Sequence, residues 1–167
     1  MAKVTVTTPN EFCAKLSRLE VNQRGIAGKA IYKGAKIIAD QISANLRAVP
    51  VDTFRYLRDG DQYTSATAEE IGGLLNCFGI ADMQDDNDGY NVKCGFHDYI
   101  ENDLRHWTPQ YPRGVPAAML ARSIESGSSA RKKHPFVRPA ISKTKEAAKK
   151  AMAQVIEEET KKIIGGN

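Results

Sequence analysis

Aromatic residues are scarce in this sequence: phenylalanine, tyrosine and tryptophan make up 7% of its 167 residues, although 41% of the residues are hydrophobic. This shortage predicts a core of Ile, Leu, Val and Ala in one globular domain with much of the chain helical. No hydrophobic run approaches the roughly 20 residues that cross a bilayer. The first ten residues also lack the apolar region of an export signal. We therefore expect a protein that is not exported and does not contact a membrane.

Cysteine is also rare, and its spacing excludes two common uses of the residue. The three cysteines are Cys13, Cys77 and Cys94, which are widely spaced and form no Cys-x-x-Cys motif. Neither a zinc site nor a disulfide framework is therefore predicted. We expect reduced thiols that are buried or half-buried, in a protein that is assembled in a reducing cytoplasm.

Patterns of known catalytic and metal sites are absent or fail on spacing. If Gly89 took position 6 of a calcium-binding loop, Gln84 and Gly95 would stand where acidic ligands are required. Three residues faintly resemble a nuclease metal site but lack a second set of ligands: His97, Asn102 and His106. No glycine-rich phosphate loop and no nucleophile elbow occurs. The sequence therefore predicts no enzyme, no metal and no cofactor.

Hydrophobic spacing predicts one α+β (α/β) domain over residues 1–167. Its fold is expected to be a small, mostly antiparallel sheet packed with a long N-terminal and a long C-terminal helix. The predicted segments in chain order are an N-terminal arm with a short helix (1–20), a long helix (21–49), a region of helix, strand and loop (67–127), a basic loop flanked by prolines (128–138) and a C-terminal helix (139–164).

Two local patterns in the middle region are distinct. Thr67 and Glu70 have the spacing of a capping box, which predicts a helix from Thr67 to Phe78 that ends at a left-handed Gly79. Residues 82–89 are expected to form a polar turn. The following residues, 90–96, alternate between hydrophobic and polar side chains, which predicts a half-buried strand.

Charge is distributed unevenly along the chain. Residues 128–167 carry ten cations and four acids, whereas residues 80–105 carry seven acids and two cations. Opposite charges at two sites favour head-to-tail packing of identical subunits, with Asp85 and Asp86 facing a basic surface of the next subunit. The same pattern is equally typical of solvated surfaces that keep a protein soluble.

The basic loop 128–138 combines cations with an apolar dipeptide. Four of its cations are candidates for contact with nucleic-acid phosphates or with a partner: Arg131, Lys132, Lys133 and Arg138. Pro135 and Pro139 restrict the backbone on both sides of Phe136 and Val137. This dipeptide is therefore either a preorganised anchor for a neighbouring subunit or part of the core of its own chain, and the sequence leaves both alternatives open.

Two short segments together resemble a phage protein family. Residues 121–129 read ARSIESGSS and residues 133–140 read KHPFVRPA. In this order they resemble the tail-component family of long-tailed phages, the neck or tail-completion proteins that include the minor tail protein Z type. Ser128 stands where a threonine is more common in that family. The resemblance extends to the end of the first long helix and to residues 70–81 and 90–96, so that it covers about residues 21–164.

The resemblance implies a structural virion protein that acts in neck and tail completion and in head–tail joining. It implies a homo-oligomeric ring around the DNA channel, a hexamer or a twelve-fold ring, made in the host bacterial cytoplasm and located in the virion. The implied partners are neighbouring neck, head-closure, tail-terminator or tail-tube proteins, with packaged double-stranded DNA nearby. The candidate interface residues are Asp85, Asp86, Arg131, Lys132, Lys133, Phe136, Val137 and Arg138.

Two other hypotheses come from different functional classes. The protein would be a DNA-binding accessory protein if the basic C-terminal third binds phosphates. It would be a metal-dependent hydrolase if metal copurified with it stoichiometrically.

Overall fold

The computed structural model describes residues 10–51, 66–86, 89–100, 112–129 and 131–165. Four helices and six short strands follow one another in this order: α1 Asn10–Arg47, α2 Ala68–Cys77, β1 Phe78–Ile80, β2 Gln84–Asp86, β3 Gly89–Asn91, β4 Cys94–Phe96, β5 Tyr99–Ile100, β6 Val115–Pro116, α3 Ala117–Ser126 and α4 Val137–Gly165. The strands form three antiparallel pairs, β1 with β4, β2 with β3 and β5 with β6. The predicted α+β class, with two long helices and small antiparallel sheets, is confirmed.

The two long helices pack against each other in antiparallel directions. Near the C-terminal end of α1, the Asn45 side chain donates to the carbonyl of Phe136 over 2.9 Å. Toward the other end, Lys29 forms an ion pair with Glu159. Between them, Gly34 lies so close to α4 that a Cβ atom there would be 2.6 Å from the Met152 sulfur. The small side chains of both helices therefore allow a close approach of their axes.

The hydrophobic core lies where the C-terminal half of α1 meets α2, α3 and the beginning of α4. Its largest fully buried side chains are Phe136, Leu46, Leu74 and Ile124, one from each of these elements or their borders. Half-buried Phe78 and Phe96 on β1 and β4 pack against this core. The core thus holds the loop between α3 and α4, which contains half of the predicted interface residues.

Two predicted element boundaries are wrong. The short N-terminal helix and the long helix form one continuous α1, because no proline interrupts residues 10–47. The helix α2 does not end at a left-handed glycine: Phe78 follows it in extended conformation and begins β1. Pairing of Gly79 with Gly95 replaces the expected cap, since ladder hydrogen bonds satisfy the backbone there.

The acidic segment and the strand after it also differ from the prediction. Instead of a polar turn and one strand, β2 and β3 form a hairpin in which Asp85 pairs with Tyr90 and Asp86 with Gly89. The predicted strand is divided into β3 and β4, since residues 92 and 93 leave the ladder. Residues 1–9 of the predicted arm, and Asn102 and His106, lie outside the described residues.

Candidate functional site

The Arg131 side chain is buried, and it connects the loop between α3 and α4 to the first turn of α2. Its guanidinium donates two hydrogen bonds to the Glu70 carboxylate, over 2.8 and 2.7 Å. The side chains of Arg131 and Glu70 are only 10% and 4% exposed. Such a bidentate pair has a fixed geometry and needs both partners, because either charge alone would be buried without compensation. Arg131 is thus engaged within its own chain, and contact of this residue with a partner stays a prediction.

Glu70 has a second structural role at the same point. Its carboxylate accepts the backbone N–H of Thr67 over 2.9 Å, while the Thr67 hydroxyl accepts the N–H of Glu70. This is the capping box predicted from the sequence, and it is confirmed. The carboxylate that begins α2 thus also holds the guanidinium of the loop 61 residues further along the chain.

The N-terminus of α4 is capped by a side chain of α3 rather than by a neighbour in sequence. The Glu125 carboxylate accepts the backbone N–H groups of Phe136, Val137 and Arg138 over 2.6, 2.8 and 3.1 Å. These N–H groups have no partner within the helix, and the helix dipole favours a negative charge there. One carboxylate therefore fixes the direction in which α4 leaves the loop.

Phe136 belongs to the core of its own chain. Its side chain is fully buried, and its ring packs edge-on against Phe96 with centroids 6.0 Å apart. Val137 is half-buried and packs on the same core. The sequence left open whether this dipeptide anchors a neighbouring subunit or belongs to the core of its own chain. In the structure it belongs to the core of its own chain. The ring of Phe136 is 0% exposed in this chain, and contact of Phe136 with a neighbouring subunit stays a prediction.

We call this arrangement the α3–α4 joint: the Glu125 cap, the buried Phe136 and the Arg131–Glu70 pair. The backbone between them is also held, since the N–H of His134 donates to the carbonyl of Ile124 over 2.7 Å. Gly127 begins the loop with a φ of 79°, a left-handed value that favours glycine. The joint fixes the positions of the loop and of the first turn of α4.

Five of the predicted interface residues are exposed. They are Asp85, Asp86, Lys132, Lys133 and Arg138. The two aspartates lie on the β2–β3 hairpin, which is attached to α1 by the N–H of Met83 donating to the Tyr32 hydroxyl over 2.8 Å. The lysines and Arg138 lie on and next to the joint. The structure does not bring the acidic and basic groups of one chain together, so their pairing between chains stays a prediction.

The cations of α4 are partly neutralised by acids of the same helix. Lys149 pairs with Glu146 over 3.1 Å, and Lys162 pairs with Glu159 over 2.6 Å. Hydrogen bonds from Lys162 and then from Lys29 lower the pKa of Glu159 to about 2. Two of the ten cations counted over residues 128–167 are thus paired with acids of the same helix.

A row of cations on α1 was missed from the sequence. Its members are Lys15, Arg18, Lys29, Lys33, Lys36 and Arg47. They follow one another at intervals of 3, 11, 4, 3 and 11 residues, which are close to whole numbers of helical turns. The signal in the sequence is the helical spacing of these charges, which is separate from the spacing of the hydrophobic residues that predicts the helix.

A cavity of about 430 Å³ lies between α2 and the segment 97–100, and it is lined by Cys77, His97 and Asp98 among other residues. Burial, and then the neighbouring Asp98, raise the pKa of the Cys77 thiol. Burial also raises the pKa of the Cys94 thiol. A raised pKa disfavours the thiolate, which is the nucleophilic form. Within the described ranges, no cluster of three or more His, Cys, Asp or Glu side chains is suited to a metal ion.

Comparison with protein-family models, with curated proteins and with solved structures gives no match for this chain. Among the residues that the structure describes, no helix combines the length and the apolar character needed to span a membrane.

Proposed function

We propose that this protein is a structural component of the virion of a long-tailed phage, where it acts in neck and tail completion and in head–tail joining. In this proposal it is not an enzyme. It forms a ring of identical subunits around the DNA channel and contacts neighbouring neck, head-closure, tail-terminator or tail-tube proteins. The proposal rests on the resemblance carried by residues 121–129 and 133–140.

The single observation that carries the proposal is that these two segments form one physical unit, the α3–α4 joint. Glu125 of the first segment accepts the three N–H groups at the start of the second. Ile124 of the first segment and Phe136 and Ala140 of the second are all fully buried. Their order and spacing thus have one cause: both are required to attach a long helix at a fixed angle.

The distribution of exposed charge supports assembly with other subunits. Asp85 and Asp86 lie on a hairpin beside Tyr32, near the middle of α1. Lys132, Lys133 and Arg138 lie at the joint, close to the C-terminal end of α1 where Asn45 contacts Phe136. Two patches of opposite sign at different positions along α1 suit a head-to-tail contact, which forms a ring when the rotation between successive subunits closes.

The alternative of a DNA-binding protein that uses its C-terminal third has less support. Arg131 is held in the buried pair with Glu70, and Lys149 and Lys162 are paired on α4. Fewer cations of this region are therefore available to phosphates than the sequence suggested. Only Lys132 and Lys133 of the triplet are exposed.

The decisive experiment is a complementation assay. A phage that lacks this gene is expected to accumulate separate heads and tails under the electron microscope, and the wild-type gene supplied in trans is expected to restore joined particles. Negative-stain images of the purified protein, alone and with candidate neck proteins, are expected to contain rings. Normal infectious particles in the absence of the protein would contradict the proposed role.

A further inference from the structure

One side of α1 carries a continuous row of cations, which we call the α1 basic row: Lys15, Arg18, Lys29, Lys33, Lys36 and Arg47. Five of the six are exposed and Lys15 is half-buried. The row extends over 32 residues of an unbroken helix, which at about 1.5 Å per residue gives a length of about 48 Å. It lies on the solvent side of α1, away from the buried residues that contact α4 and the strands.

The α1 basic row has almost no compensating charge. Asp40 is the acid with a described side chain on this side of the helix, and Lys29 alone has an ion pair, with Glu159. Within the described part of the chain, the other five cations have no acidic partner within ion-pair distance. Ordinary solvated surfaces mix both signs, as α4 does with its Lys149–Glu146 and Lys162–Glu159 pairs.

The arrangement is unfavourable for the isolated helix. Lys29 and Lys33 are four residues apart, and Lys33 and Lys36 are three apart, so that like charges are neighbours on the surface of α1. Such pairs destabilise a helix. An external anion that neutralises several of these cations at once would remove this repulsion.

We propose that the α1 basic row binds the phosphate backbone of double-stranded DNA. An unbroken helix that presents charges of one sign over about 48 Å matches an extended polyanion, and duplex DNA is stiff over about 150 base pairs and carries one charge per about 1.7 Å. That the row faces the DNA channel rests on the proposed neck function. Binding of DNA by the row does not depend on that function.

Two other partners fit the row less well. Single-stranded nucleic acid is bound with aromatic side chains that stack on bases, and Tyr32 of α1 is instead engaged through its hydroxyl with the hairpin. The acidic hairpin of a second copy offers the exposed Asp82, Asp85 and Asp86, which lie on one short hairpin and would cover a small part of the row. Because the proposed contacts are to phosphates, which carry no sequence information, binding is expected to be independent of sequence.

The test measures binding of the full-length protein to a fluorescently labelled duplex of about 20 base pairs by anisotropy, between about 25 and 200 mM salt. The variant is Lys33→Glu/Lys36→Glu on α1. The matched control is Lys143→Glu/Lys150→Glu, two exposed lysines of α4. Both double variants change the net charge equally, so that a difference between them reports position.

Wild-type protein is expected to bind at low salt, and the α1 variant is expected to bind at least about tenfold more weakly. The slope of log K against log salt is expected to fall by about two in the α1 variant, because each lost phosphate contact lowers it by about 0.9. The α4 control is expected to retain most of the affinity and of the slope. Should the α1 variant melt below the wild type, Lys33→Gln/Lys36→Gln replaces it, with Lys143→Gln/Lys150→Gln as the matched control.

Equal loss in both double variants would overturn the proposal, since net charge alone would then explain binding. Absence of wild-type binding at about 25 mM salt would also overturn it. So would a loss of self-association, measured by mass photometry, in an α1 variant that still binds DNA, because the row would then bind a second copy. Failure of the proposed neck function gives a different result. A phage without the gene would then still produce joined particles, whereas binding of DNA by the α1 basic row would persist.

Discussion

At the scale of single residues, the α3–α4 joint depends on three side chains. Two are carboxylates that each accept several hydrogen bonds, and the third is a buried ring. Glu125 accepts three backbone N–H groups, and Glu70 holds both its own helix terminus and Arg131. Phe136 fills the space between them and is 0% exposed. Because each group is buried or half-buried, its removal affects several partners at once.

Replacement of Phe136 by alanine is expected to lower the free energy of unfolding by about 3–5 kcal/mol, because it opens a cavity in a fully buried site. Urea denaturation followed by circular dichroism measures this loss. Pro135→Ala, at an exposed neighbouring position, serves as the control and is expected to have a much smaller effect. A Phe136→Ala protein as stable as the wild type would mean that the ring is not part of this core.

Arg131→Met is expected to cost about 3–5 kcal/mol, because it leaves the Glu70 carboxylate buried without its bidentate partner. Adding Glu70→Gln removes the uncompensated charge and retains an acceptor for the Thr67 N–H. The double variant is therefore expected to be more stable than Arg131→Met alone. Denaturation of the two single variants and the double variant gives the coupling energy. Additive losses would show that the two side chains do not act as a pair.

At the scale of elements, α2 is the helix whose beginning was predicted best. The capping box joins residues three apart, so that its partners are neighbours in sequence, and Leu74 on the same helix is fully buried. The end of α2 was predicted worst, because Phe78 and Gly79 leave the helix to pair with β4. A strand partner 16 to 18 residues away is not visible in a local pattern.

The contact between the N-terminal half of α1 and the C-terminal part of α4, where Lys29 pairs with Glu159, is expected to weaken in acid. The folded-state pKa of Glu159 is lowered from 4.5 to about 2 by Lys162 and Lys29. Its stabilising effect is therefore complete above about pH 4.5 and is lost as the pH falls toward 2. Thermal melts of the wild type and of Glu159→Gln are expected to differ at neutral pH and to converge between these values. A constant difference down to pH 2 would contradict this account.

At the scale of the whole molecule, exposed charge is the property that assembly would use. The acidic β2–β3 hairpin, the lysines of the joint and the α1 basic row occupy different parts of the surface. Only the first two were recognised in the sequence. Each of these three surfaces lies on or next to an element that packs in the fold. The distances between the surfaces are therefore set by the fold.

Reversal of Asp85 and Asp86 to lysine is expected to weaken oligomers or tail attachment more at low salt than at high salt, because exposed charges are screened over about 10 Å at 0.1 M salt. Mass photometry across a salt series and complementation of the gene deletion measure the two effects. Glu157→Lys/Glu158→Lys on α4, exposed and of equal charge change, is the control. Unchanged assembly at every salt concentration would leave these aspartates as a solvated hairpin.

The sequence by itself determined the features that depend on near neighbours or on composition. These are the α+β class, the long terminal helices, the capping box at Thr67 and the burial of an apolar stripe on α2. Helical spacing and caps act within one or two turns, so that a single sequence contains them in full. The resemblance of residues 121–140 to a phage family was likewise readable, although its physical basis was not.

Only the tertiary structure decided which of the basic and apolar side chains of the loop 128–138 reach solvent. Arg131 and Phe136 are buried because partners 61 and 40 positions away, Glu70 and Phe96, meet them there, whereas Lys132, Lys133 and Arg138 remain exposed. A cation and an aromatic ring carry the same local signal whether they face inward or outward. The choice depends on the desolvation of a charge and on the space for a ring, and both are properties of residues distant in sequence.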